Sequence, residues 1–345
     1  MATHQEVKVK KTKTMTLSIP TAGKGPNGEP LFFGAVDAPA RIMGTVTFSS
    51  NYECKGNDIY IQYTAMAVAK WSRRSGKRTY YYEGRQPYDE KTIQLVLPHP
   101  KPGAVQAGEY SCPFDFPVDA QNMPSSFRGR YAWMSYKVKA VLVRNFPSTN
   151  VVREHEVWVL NTLLPRPEMP IPNAPMPMTR YSGNLKDMVD YICVIPSTML
   201  FLTQQVPITF KVMPSAHQVQ VISAVVKLKQ YTQLVVRTAS KTDKKELINI
   251  PLKDGWPVPE PNQSWQRTVV VPFPGAPQLT PTIQTPMITK IHILKLIMQV
   301  KLSPRNDKHE IRIEMPVAIT APRPPGEPYP AFDLNHHLSR LDRIH

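Results

Sequence analysis

The sequence has few cysteines and no long apolar run. Cys54, Cys112 and Cys193 are far apart and form no CxxC pair, so they predict neither a disulfide framework nor a cysteine-based metal site. The uncharged run at residues 191–210 contains prolines, glutamines and hydroxyls and does not fit a membrane span. The first fourteen residues lack the apolar core of a signal peptide. We therefore expect a reduced, soluble, cytoplasmic protein.

Sequence signatures of catalysis are also missing. A Gly-x-Gly-x-x-Gly spacing at Gly23, Gly25 and Gly28 is followed by a proline and a strand pattern, whereas a dinucleotide site needs a helix there. No Gly-x-Ser-x-Gly, His-Glu-x-x-His or P-loop motif occurs, and the nine histidines have no metal-ligand spacing. His292 lies on an apolar strand pattern, which is typical of a structural histidine. We predict that the protein is not an enzyme and carries no cofactor and no metal.

Glycine is scarce and proline abundant, 15 residues against 37, and the regular segments alternate apolar and polar residues. From Ala132 to Leu142 every second residue is apolar, which is the period of a strand with one buried face. The same alternation occurs in four further segments, at residues 40–48, 59–71, 292–302 and 311–319. A turn at "MPSSF" precedes the strand from Ala132 to Leu142, and its serine hydroxyls can hydrogen-bond to nearby backbone. Many alternating strands without helical periodicity predict an all-β fold built of sandwiches.

A proline-rich segment divides the chain. Six prolines lie between residues 165 and 178, and they favour an extended connector because proline lacks the backbone donor that a strand ladder uses. We therefore predict a first β domain at 1–164, a linker at 165–182 and a second β domain at 183–320. Residues 321–345 are predicted to form a proline-rich tail with a short helix.

Acidic residues are the scarcer charge, 26 against 42 lysines and arginines, which gives a formal net charge of +16. Such a surplus attracts phosphorylated tails, anionic lipid surfaces or nucleic acid. One basic group is the pair Lys10 and Lys11, in a predicted first strand. These lysines can bind an acidic ligand, or they can guard the edge of a sheet.

The second basic group is the segment "KWSRRSGKR", which is predicted to form a hairpin. Four cations crowd its tip, namely Arg73, Arg74, Lys77 and Arg78. Trp71 and three consecutive tyrosines at 80–82 flank them. Basic residues interleaved with aromatic ones can grip phosphates or stack bases. A solvated hairpin with aromatic strand residues has the same pattern, and both interpretations stay open.

Several segments resemble the arrestin family, and they are most similar to its α-arrestin-like branch. "YSCPFDFPVDAQNMPSSFRGRYAWMSYKVKAVLVR" is similar to the family's apolar "pFpF" strand, its "lPsSf" turn and its strand ending "Y-x-v-k-a-x-l-x-R". "RIMGTVTF" resembles an early strand around a glycine, here Gly44. The run 279–302 resembles a strand of the C-terminal domain that carries a histidine, here His292. The similarity covers residues 5–320 roughly and is strongest over 110–144.

This resemblance implies two immunoglobulin-like β-sandwiches in tandem. It implies a cytosolic adaptor or scaffold, peripheral at membranes, that binds acidic or phosphorylated cytoplasmic tails of membrane proteins in protein transport, endocytosis or signal transduction. Lys10 and Lys11 match the lysine pair that binds phosphate in the family. The hairpin with Arg73, Arg74 and Lys77–Arg78 stands where the family's finger loop contacts its receptor.

Departures from the family pattern limit what can be carried over. "QPYDE" and "EPYP" are not PPxY motifs, so recruitment of a ubiquitin ligase is not implied. Residues 238–265 do not resemble the loop that completes the polar core of visual-type arrestins, so a switch through that core is not implied either. The alternative function is a basic β protein that binds nucleic acid or anionic lipid directly through the 70–85 hairpin. Retention on plain polynucleotide with a steep salt dependence would favour that alternative.

Overall fold

The computed structural model describes residues 12–321 without 22, 36–37, 57, 98, 145–146, 163–177, 215–218, 253–255, 257–262, 276–277 and 303–306. Every regular element in these residues is a β-strand. None of them forms a helix of the length and apolarity that crossing a membrane requires. Lys10 and Lys11, most of the predicted linker and almost all of the predicted tail lie outside the described residues.

The chain forms two compact units, residues 1–164 and 165–345. The strands of the first unit are β1 Lys13–Ser18, β2 Gly23–Lys24, β3 Pro30–Ala35, β4 Ala40–Ser50, β5 Cys54–Lys55, β6 Ile59–Ser75, β7 Arg78–Leu95, β8 Ala104–Val105, β9 Gly108–Val118, β10 Phe127–Arg128, β11 Ala132–Leu142 and β12 Val151–Thr162. A three-stranded sheet has the order β1-β4-β9, and a larger sheet has the order β2-β3-β12-β11-β6-β7, with β10 paired to β11. The small pair β5-β8 lies apart from both.

The second unit repeats this plan with its own two sheets. Its strands are β13 Thr179–Leu185, β14 Val189–Ile195, β15 Met199–Phe201, β16 Gln205–Pro214, β17 Val219–Val236, β18 Ala239–Leu252, β19 Trp265–Pro272, β20 Ile283–Gln284, β21 Ile288–Leu302 and β22 Asp307–Thr320. One sheet has the order β13-β14-β16-β19, and the other has the order β15-β22-β21-β17-β18, with β20 paired to β21. β13 includes residues 179–182, which we had predicted to be part of the linker. The paired segments of β13 and β14 contain no proline, so their hydrogen-bond ladder is uninterrupted.

The buried faces of the strands form one core in each unit. All six alternate residues from Ala132 to Leu142 are buried, as the sequence predicts, and so are those of the four other alternating segments. In the first unit Tyr63 of the larger sheet stacks on Phe116 of the smaller sheet, with ring centroids 5.5 Å apart. In the second unit Cys193 and Met315 join the two sheets, with their sulfur atoms 3.7 Å apart. The prediction of an all-β chain with two β-sandwiches in tandem is confirmed.

The "MPSSF" turn makes bonds that local sequence does not predict. The hydroxyl of Ser125 donates to the carbonyl of Asn161 and accepts from its amide, at 3.0 and 2.9 Å. The hydroxyl of Ser126 accepts from the amide of Val159 at 2.9 Å. These partners lie 33 to 36 residues further along the chain, on β12. The serines pair with β12 beyond Val157, where the register between β11 and β12 ends.

Candidate ligand-binding face

The strands β6 and β7 extend past the rest of their sheet. β11 accompanies β6 only as far as Ala69, whereas the β6–β7 register continues to Ser75 and Arg78. Gly76 takes a φ of +60° and allows the two-residue turn that closes the ribbon. The sequence-predicted hairpin at "SRRSGK" is therefore present as the free end of a long antiparallel ribbon.

The four cations of this tip have no carboxylate partner among the residues that the structure describes. Arg73, Arg74, Lys77 and Arg78 are exposed, and none of them forms an ion pair with any residue that the structure describes. The cations at the root of the ribbon differ, because Lys70 and Arg85 both pair with Glu83, at 3.2 and 2.9 Å. The ribbon therefore has a partly neutralised root and a concentrated positive charge at its tip.

Aromatic residues hold the ribbon at its root and are exposed towards its tip. Trp71 is buried and stacks on Tyr82, with ring centroids 5.3 Å apart. Tyr80 is 46% exposed and Tyr81 is 79% exposed. The combination of exposed cations and exposed tyrosines fits the acidic surface of a protein, a lipid headgroup layer or a nucleic acid.

A pocket of about 340 Å³ lies on the outer face of the same sheet. Its lining residues come from β10, β11, β12 and the residue after β10, and they are Arg128, Gly129, Trp133, Ser135, Lys137 and Glu156. The Nη2 atom of Arg128 lies 2.8 Å from a carboxylate oxygen of Glu29 and 2.8 Å from one of Glu156. The guanidinium carbon of Arg128 lies 5.8 Å from the ring centroid of Trp158. Lys137 pairs with Glu154 at 2.5 Å. Sequence analysis missed this pocket because its parts are distant in the chain; the only local signal was the outward-facing register of Trp133, Ser135 and Lys137.

The other predicted binding residues, Lys10 and Lys11, lie just before the first described strand. Lys10 and Lys11 precede the first described residue, so their predicted role stays a prediction. The strand that follows them, β1, is an edge strand of the three-stranded sheet, where Lys13 pairs with Ser50. An edge position suits a ligand-binding lysine and a guarding lysine equally well.

Burial disfavours the charged forms of two cysteines and one histidine. Burial raises the pKa of the Cys112 thiol, and it raises that of Cys193 to about 12. His292 is 1% exposed, and burial lowers its pKa to about 3. The Gly25–Gly28 segment is a tight turn that leads into β3 and not into a helix. No group of three or more metal-binding side chains occurs in the part of the chain that the structure describes.

Two family profiles match this chain. The profile of "Arrestin (or S-antigen), N-terminal domain" matches residues 33–163. The profile of "Arrestin (or S-antigen), C-terminal domain" matches residues 185–324. A search of curated proteins finds no match. The two profiles follow each other in the order of the two β-sandwiches and cover most of the chain, and the chain therefore belongs to the arrestin family.

Proposed function

We propose that this protein is a cytosolic arrestin-like adaptor that binds acidic or phosphorylated cytoplasmic tails of membrane proteins. The observation that supports this best is the exposed positive tip of the β6–β7 ribbon, with Arg73, Arg74, Lys77 and Arg78. Phosphoryl groups carry a charge of about −1.5 to −2 and bind clustered lysine and arginine by charge-assisted hydrogen bonds. The exposed tyrosines at 80 and 81 add contact area beside those charges.

The tip should also hold the protein at the cytoplasmic leaflet while it engages a tail. Each cation near an anionic surface contributes about 1 kcal/mol, so four cations contribute about 4 kcal/mol. Changing Arg73, Arg74, Lys77 and Arg78 to serine should weaken binding to phosphatidylserine vesicles roughly 100- to 1,000-fold. Vesicle co-sedimentation and binding of a multiply phosphorylated peptide measure the two effects. The fold should survive, because all four side chains are exposed.

A matched control removes the same net charge elsewhere. Lys24, Lys55, Lys244 and Lys308 are exposed, and serine at these four positions should change vesicle binding far less than the tip variant does. Equal losses in the two variants would mean that net charge alone drives binding. Retention of the wild type on plain polynucleotide with a steep salt slope, without capture of phosphopeptides, would favour direct nucleic-acid binding.

Lys10 and Lys11 are proposed to supply a second contact with the acidic ligand. Replacing both by glutamine should weaken phosphopeptide binding several-fold while leaving the midpoint of thermal unfolding close to that of the wild type. Isothermal titration with the phosphorylated and unphosphorylated forms of one peptide measures the loss. Unchanged affinity would leave these lysines as guards of the edge next to β1.

A further inference from the structure

The tip of the β6–β7 ribbon has two faces that differ in charge. In the register of the ribbon, Ser75 lies opposite Arg78, and Arg73 lies opposite Tyr80. Side chains directly opposite in an antiparallel pair point to the same face. Trp71 belongs to the same alternating set and is buried in the core of the first unit. The four tip residues therefore continue the core-facing side of the sheet past the core itself, and we call this side the inner face of the ribbon.

The inner face carries cations without a carboxylate. Along residues 69–86, Arg73 and Arg78 are the only charged side chains on this face, and neither forms a side-chain hydrogen bond or an ion pair with any residue that the structure describes. Glu83, the only carboxylate of this stretch, is on the outer face and is already paired with two cations at the root. Arg74 is also on the outer face, and its Nε atom donates to a backbone carbonyl of the turn at 3.3 Å. An anion that approaches the inner face therefore meets two cations without displacing an ion pair.

The two inner-face cations can converge on one phosphoryl group. Arg73 and Arg78 are diagonal neighbours, and diagonal positions of an antiparallel pair are about 7–8 Å apart, which long side chains can span. The hydroxyls of Ser75 and Tyr80 on the same face offer two more donors. A phosphoryl group has three acceptor oxygens and a charge of about −1.5 to −2, and arginine binds it through pairs of parallel hydrogen bonds. A carboxylate has two oxygens and a single charge, so it can use fewer of these donors.

We propose that the inner face of the tip is a binding site for a phosphorylated side chain of a partner peptide. Arg73 and Arg78 hold the phosphoryl group, and the hydroxyls of Ser75 and Tyr80 donate to it. A flat membrane surface would meet the end of the ribbon and would contact the exposed Lys77 of the turn and both faces alike. A site on one face is reached from the side, as an extended peptide can do. The identification of this peptide as a cargo tail rests on the proposed adaptor function.

Two variants that remove the same charge from the same tip provide the test. Arg73→Gln with Arg78→Gln removes both cations of the inner face, whereas Arg74→Gln with Lys77→Gln leaves that face intact. All four side chains are exposed, so both variants should keep the thermal unfolding midpoint of the wild type. The probe is a fluorescein-labelled peptide, Gly-Gly-phosphoserine-Gly-Gly. Fluorescence anisotropy with the full-length protein measures its dissociation constant.

The inner-face variant should bind the phosphopeptide at least about tenfold more weakly, because it loses charge-assisted hydrogen bonds from two arginines. The matched variant should lose less than about threefold, since only attraction through screened solvent falls. Ser75→Ala should weaken binding about threefold through the loss of one neutral donor. For the wild type, the same peptide with glutamate in place of phosphoserine should bind at least about tenfold more weakly.

The outcomes separate this site from the adaptor function on which it rests. Equal losses in the two variants, or equal binding of the phosphoserine and glutamate peptides by the wild type, would overturn the inner-face site and leave the adaptor function standing. Vesicles containing phosphatidylinositol 4-phosphate test the lipid alternative. If the inner-face variant lost binding to these vesicles but kept its affinity for the phosphopeptide, the site would belong to a lipid headgroup and the proposal would be overturned. A wild-type protein that binds neither peptide would overturn both the site and the proposed binding of acidic or phosphorylated tails.

Discussion

Replacing Ser125 and Ser126 together by alanine should lower the free energy of unfolding of the first unit by about 3 kcal/mol or more. The two hydroxyls satisfy three buried backbone groups of β12, which are the amide and the carbonyl of Asn161 and the amide of Val159. Ser125 is 5% exposed and Ser126 is 1% exposed, so water has little access to these groups. A buried backbone group that loses its partner costs about 1–3 kcal/mol.

The loss should be read from urea unfolding followed by circular dichroism and tryptophan fluorescence. Ser72→Ala, on the exposed ribbon, is the matched control and should change the free energy of unfolding by less than about 0.5 kcal/mol. One bond survives in the double variant, since the amide of Ser126 still donates to the carbonyl of Val159 at 2.7 Å. A double variant within 1 kcal/mol of the wild type would show that the hydroxyls do not support β12.

This turn illustrates what the sequence can and cannot predict. Alternation identifies the buried face of each long strand, because side-chain direction depends only on the parity of the residue number within a strand. The residue types alone identify Pro124, Ser125 and Ser126 as a turn, because proline and serine favour turn conformations. They do not identify the partner of this turn on β12, since that contact depends on how the strands are ordered in the sheet. The resemblance to arrestins predicted two sandwiches, and the two family profiles support the same assignment.

The pocket lined by Arg128 and Glu156 could not be predicted from local sequence either, because its contacts also depend on the order of the strands in the sheet. Glu29, Arg128 and Glu156 are separated by many residues, and only the sheet brings them together. The tip of the ribbon was predictable, because its four cations are close in sequence and Gly76 marks the turn. Charge density can be counted along a chain, whereas charge compensation by distant carboxylates needs the fold.

A buried polar network in the second unit contains two titratable residues on one face of β21. Lys290 is 2% exposed and its Nζ lies 2.8 Å from the hydroxyl of Thr280. His292, two residues on, has Nδ1 at 3.0 Å from the hydroxyl of Thr282 and Nε2 at 3.3 Å from Oε1 of Gln230. Thr280 also donates to Gln230, at 3.1 Å, which connects the lysine and the histidine. The sequence indicates that Lys290 is buried, because it lies on the same face of the strand as the alternating apolar residues from His292 to Leu302.

Burial disfavours the charged form of both side chains, so their effect on the free energy of unfolding depends on pH. Burial, and to a smaller extent the charge of Lys245, together lower the pKa of Lys290 to about 7. Unfolded lysine has a pKa of about 10.4, so between pH 7 and 10 the unfolded chain binds a proton that the folded chain does not. Stability rises with pH wherever the unfolded state binds more protons. The Lys290 contribution should therefore rise by about 1.4 kcal/mol per pH unit across this window.

His292 acts in the same sense at lower pH. Burial, and to a smaller extent the neighbouring Lys290 charge, together lower its pKa to about 3. Unfolded histidine titrates near pH 6.5, so the unfolded state binds the extra proton between pH 6.5 and 3. The second unit should lose stability as the pH falls through this range. The stability contributions of Lys290 and His292 therefore both increase as the pH rises, His292 at lower pH and Lys290 at higher pH.

Lys290→Met should remove the alkaline part of this dependence. The difference in the free energy of unfolding between wild type and variant should change by about 2.7 kcal/mol in favour of the wild type from pH 7.5 to 9.5, because each pH unit contributes about 1.4 kcal/mol. Urea unfolding at pH 7.5, 8.5 and 9.5 measures it, and titration of tyrosines and cysteines common to both proteins cancels in the difference. Lys244→Met removes an exposed lysine and should run parallel to the wild type. Parallel curves for Lys290→Met as well would mean that Lys290 keeps its charge in the folded protein.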